Sequence, residues 1–87
     1  MLTVLYEREI EAGITATLFS ALSTALNSSS VNVEFCKGAI SQAKADVEVL
    51  QCDWIKIENQ VTAQLGVSRL QRLVENSIPL IGLKTGT

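Results

Sequence analysis

Histidine is absent from this 87-residue sequence, and proline occurs once, at Pro79. Without an imidazole the chain lacks the commonest general base and the commonest metal ligand near neutral pH. Its two cysteines, Cys36 and Cys52, form no CxxC pair, and Gly13, Gly38, Gly66, Gly82 and Gly86 stand alone. Neither a zinc-binding knuckle nor a phosphate-cradling loop is therefore encoded. Charge is also scarce, at 18 per cent of residues against about 25 per cent in typical domains. The seven basic residues are scattered and the net charge is −2, so nucleic-acid binding is not expected. Carboxylates recur at helical spacing in Glu7 with Glu11 and in Asp46 with Asp53. Two carboxylates without further oxygen ligands hold a cation poorly, and both pairs read as solvated helix faces. The expectation is a chain with no enzymatic activity, no cofactor or metal, and no small-molecule substrate.

A positive leader is missing as well. Met1 to Glu11 carries three acids and one base, whereas a secretory signal begins with a positive region, so no signal peptide is read. No charge occurs between Glu11 and Glu34, which raises the question of a membrane span. The apolar part, Ala12 to Leu26, is fifteen residues long with five Ser or Thr, and a span needs about twenty apolar residues. Membrane insertion is not expected. Cys36 and Cys52, placed on one helix, would lie roughly 24 Å apart, too far for a disulfide. They read as small apolar side chains in a reducing compartment, either the cytoplasm or an assembled particle.

What the chain does have is apolar residues, 47 per cent of the total, and a strict repeat. Val33, Cys36, Ile40, Ala43, Val47, Leu50, Trp54, Ile57 and Val61 follow one another at alternating spacings of three and four. A helix of 3.6 residues per turn places them on one narrow stripe, as in the a and d positions of a coiled coil. The repeat predicts a helix from about 33 to 65. Ahead of it a first helix is expected over about 4–26, with a short strand over residues 2–6 as the alternative start. Ile14, Leu18, Leu22 and Leu26 form its ridge, and smaller residues flank that ridge, so another helix can approach closely. Asn27 to Asn32 is the turn, giving an antiparallel hairpin within a single domain. Gly66 reads as a stop, and Ser68 with Gln71 resembles a capping box opening a short third helix over about 68–76. A kinked continuous helix would look the same in sequence. Pro79 then leaves an apolar tail of Ile78, Leu80, Ile81 and Leu83.

Length adds a constraint. A helix over 33–64 is roughly 48 Å long, while a compact domain of this size is only about 30 Å across. An elongated fold is expected, with part of the stripe covered by the third helix or by another chain. A second, weaker stripe on the same helix, Ala45, Val49 and Cys52 with Ile55 beside it, suggests packing on two sides. Trp54 reads as an anchor of the main stripe, and Phe35 as an exposed aromatic near the turn. Flanking charges select neither a parallel nor an antiparallel homodimer. The functional expectation is a structural subunit that self-associates as a homo-oligomer or packs into a filament, virion, tail or secretion apparatus. A chaperone, inhibitor or antitoxin docking on one protein partner is the first alternative, and a membrane-active, holin-like peptide the second.

Overall fold

A computed structural model describes residues 2–78 and 80, with side-chain environments from Glu9 onward. The chain is all-α, with α1 at Leu2–Asn27, α2 at Val33–Leu50 and α3 at Trp54–Glu75, and no strand among the described residues. Helix rather than strand occupies residues 2–6. α1 and α2 form the expected antiparallel hairpin across residues 28–32. Asn32 caps α2, its Oδ1 accepting the N–H of Phe35 at 3.0 Å. One of the four N–H groups that a helix start leaves without a partner is thereby satisfied.

The long helix expected over 33–65 is instead two helices that run in opposite directions. α2 ends at Leu50, and Gln51 takes the left-handed conformation, φ 59 and ψ 43. The N–H of Cys52 returns to the Val47 carbonyl at 2.9 Å and that of Gln51 to Glu48 at 3.3 Å, which satisfies carbonyls at the helix end. Two residues later Asp53 starts α3, its Oδ1 accepting from the N–H groups of Ile55 at 3.0 Å and Lys56 at 3.4 Å. The short third helix expected over 68–76 is therefore the last part of α3. Gly66 bends that helix at φ 86 and ψ 169, a region essentially reserved for glycine.

α1 is the support that both other helices share. α2 runs antiparallel to it and α3 parallel. The parallel register is recorded by Lys56 Nζ at 3.4 Å from Glu11 Oε1 and by Thr15 Oγ1 donating to Gln60 Oε1 at 2.9 Å. Cys36, Ile40, Ala43 and Val47 of α2, and Ile57, Val61 and Leu65 of α3, are buried with Leu18, Leu22 and Leu26 of α1. The three-four spacing carries across the turn unbroken, so both halves of the stripe face the same core. Each large apolar side chain buried there contributes roughly 1.5–3 kcal/mol. The molecule is elongated, 43 × 26 × 20 Å, and the repeat that looked too long for one partner is covered within the chain except at the turn, where Leu50 is exposed and Trp54 partly buried.

The tail also begins inside the fold. Ser77 turns the chain at φ 56, the Ile78 N–H reaches the Leu73 carbonyl at 3.0 Å, and Ile78 and Leu80 are 1 and 4 per cent exposed. Both join the core. Ile81 and Leu83 lie outside the described residues.

Candidate docking surface

With the repeat closed internally, the surfaces open to a partner are those the packing leaves uncovered. α1 turns Ala12, Gly13, Ala16, Thr17, Ser20 and Thr24 to solvent; all are uncharged and none is large. Because these residues fill little of the space beside α2, a groove of about 370 Å³ runs between the helices along Ile10, Gly13, Ile14, Thr17 and Ala21. On the α2 side it is walled by Ala39, Gln42, Ala43, Asp46 and Leu50. Past Thr17 and Ala21 it continues into a shallower depression bounded by Ser20, Thr24 and Phe35. From Glu9 to Thr24 the two together span roughly 23 Å of helix.

The groove is electrostatically one-sided. Glu9 and Asp46 line one end, and neither depression is lined by a Lys or Arg among the described residues. Gln42 Nε2 donates to Asp46 Oδ1 at 3.0 Å, which holds the carboxylate on the rim. The same end carries the C-terminus of α2, which has no basic residue in its last turn and bears partial negative charge. Two lysines are engaged elsewhere: Lys44 lies 5.9 Å from the Trp54 ring centroid and Lys56 pairs with Glu11.

The residues expected to pack or to meet partners are sorted into three groups. Cys36, Ile40, Val47, Ile57, Val61, Ile78 and Leu80 belong to the core. Val33, Cys52 and Trp54 are partly buried against it. Val49 and Leu50 are exposed beside the turn into α3, at 79 and 46 per cent. Trp54 accordingly opens a helix at the edge of the core, where a long helix would have placed it as a central anchor. The second stripe does not survive as one surface, since Cys52 packs inward while Val49 and Ile55 flank the turn. Burial pushes the Cys36 thiol up from its ordinary value, which keeps it protonated and a weak nucleophile. No disulfide joins Cys36 and Cys52.

Two arginines carry structure that the sequence reading missed. Arg69 Nε donates to the Leu65 carbonyl at 2.9 Å, at the bend beside Gly66, while its Nη1 donates to Ser23 Oγ and its guanidinium lies 5.6 Å from the Phe19 ring centroid. Arg72 reaches the last carbonyls of α1 in a similar way. Their position one turn apart on a helix with an apolar stripe was the available signal. Glu58 of α3 is only 4 per cent exposed. Among the described residues no group of three or more His, Cys, Asp or Glu side chains could hold a metal ion, and no helix is long and apolar enough to cross a membrane. No protein-family model matches the chain, and no curated protein or solved structure matches it either.

Proposed function

We propose that the chain is a non-enzymatic docking module whose α1–α2 groove receives one protein partner. The observation that carries this reading is the groove itself, apolar along its floor, open along α1 and edged by Phe35 and Leu50, which are 50 and 46 per cent exposed. Concave, largely apolar clefts are where bound groups are preferentially received, because apolar atoms entering them leave water.

Self-association into a filament, virion, tail or secretion apparatus is the second reading. Its main support was a repeat too long for α1 to cover, and α1 covers both halves of it. What favours it now is the exposure of Val49, Ile55, Val67 and Val74, which are divided between the α2–α3 turn and the far end of α3. The holin-like alternative drew on the uncharged run of α1, and α1 packs against two helices. Light scattering of the pure chain over a wide concentration range separates the readings. A docking module keeps the monomer mass of 9.4 kDa, whereas a mass that climbs with concentration overturns it in favour of the assembly subunit.

A further inference from the structure

We propose that the partner seated in the α1–α2 groove is a basic amphipathic helix, with its apolar stripe between the two helices and a Lys or Arg facing Glu9 and Asp46. This rests on the docking reading and adds the chemistry of the partner. Shape comes first. The open track from Glu9 to Thr24 has the length of about four helical turns. Its floor of Gly13, Thr17 and Ala21 lets a third backbone approach α1 more closely than large side chains would allow.

Charge then selects among occupants. The groove interior is apolar at Ile14 and Leu18, so the inserted face must be apolar too. One end holds two carboxylates and the C-terminal end of α2, while the depression at the Phe35 end is lined by no charged residue, with exposed Glu34 and Lys37 flanking Phe35 on α2. A second copy laid antiparallel would set its Phe35 end against Glu9 and Asp46, offering the two carboxylates a single base, Lys37, with the acid Glu34 beside it. A copy laid parallel would set carboxylate against carboxylate. A dissimilar helix with a basic end satisfies the shape and the charge together, and rim charges of this kind discriminate between partners through complementarity.

The test uses the full chain and two synthetic helical peptides about four turns long, each labelled with fluorescein. Both carry the same Ala and Leu stripe; one ends in a Lys pair, the other in a Glu pair. Fluorescence anisotropy at low salt is expected to give at least about a five-fold preference for the Lys peptide, from two exposed ion pairs. The preference is expected to fall below about two-fold in high salt and in the Glu9→Gln, Asp46→Asn double variant. Filling the groove by Thr17→Leu with Ala21→Leu, with helicity checked by circular dichroism, is expected to abolish binding of both peptides. Equal affinity for the two peptides, or a preference that the double variant leaves intact, overturns the basic-helix inference while the docking reading stands. Binding of neither peptide overturns the inference, and a light-scattering mass that grows under the same conditions overturns the docking reading with it.

Discussion

Arg72 Nη1 donates to the Ser28 carbonyl at 2.9 Å, joining the end of α3 to the end of α1. The same nitrogen donates to the carbonyl of Leu26. The Leu26 carbonyl is one that a helix end leaves without an intrahelical partner, Ser28 lies just past α1, and a guanidinium there also meets the negative end of the α1 macrodipole. In a hairpin whose second helix ran straight on from Val33, Arg72 would stand more than about 50 Å along the axis from that turn. The contact exists because the chain reverses at Gln51 to Asp53.

Arg72→Ala removes charge-assisted hydrogen bonds at a partly exposed site, and should lower stability by about 1–2 kcal/mol in urea denaturation. Arg72→Lys keeps the charge with poorer geometry and should recover part of the loss. An Ala variant with an unchanged midpoint would show that the two helix ends are not held together by this side chain.

The turn between α2 and α3 makes predictions of opposite sign from those of a continuous helix. Gln51 is an L-residue in the left-handed region, a conformation that costs about 1–2 kcal/mol. Gln51→Gly should therefore be neutral or stabilising by up to about 1 kcal/mol, glycine's greater chain entropy offsetting part of the gain. Asp53→Ala should lose about 1 kcal/mol with its N-cap. In a straight helix Gln51→Gly would cost up to about 1 kcal/mol and Asp53→Ala would be favourable. Chemical denaturation of the two variants distinguishes the cases by sign alone.

This turn also shows what was legible in the sequence. The repeat from Val33 to Val61 identified the core side chains well, because periodicity reports which residues share a face. It does not report whether the helix axis is continuous, and at Gln51 to Asp53 the three-four count happens to run on across a reversal. The usual punctuation was missing: no Gly or Pro marks the break, and Gln51 takes the conformation that glycine ordinarily supplies. Asp53 was the readable cue, an N-cap residue ahead of an apolar run, but it also fitted a solvated helix face. Gly66, by contrast, was read as a punctuation point and does bend α3. The groove escaped notice because a groove depends on how two helices are set against each other, although the small residues flanking the Leu18–Leu22 ridge were its trace.

Gly66→Ala should be destabilising by about 1–3 kcal/mol, since φ 86 with ψ 169 is a region that other residues rarely enter. No heavy atom lies within 4 Å of where the added Cβ would stand, so the effect would come from backbone strain and not from collision. Calorimetry showing equal melting temperatures would mean that the bend at Gly66 is not obligatory.

The two thiols should react at very different rates. Cys36 is fully buried and its pKa is pushed up by that burial, so at mildly alkaline pH it is both shielded and largely protonated. Cys52 is half-buried at the turn. A disulfide reagent such as DTNB should titrate one thiol per folded chain quickly and the second only after denaturant is added. Loss of the fast phase in Cys52→Ser would assign it, and rapid reaction of both thiols in the folded chain would contradict the burial of Cys36.

The reversal at Gln51 to Asp53 closes the repeat within one chain and leaves the α1–α2 groove as the open surface, so it is the claim to test most directly. Spin labels at the exposed positions Ser29 and Glu75, in a chain with Cys36→Ala and Cys52→Ser, allow the distance between the two helix ends to be measured by double electron–electron resonance. The three-helix architecture predicts a single narrow distribution below about 25 Å, whereas a second helix running straight to residue 65 puts roughly 48 Å of helix between the two labelled ends, and a distribution centred well beyond about 25 Å would contradict the reversal.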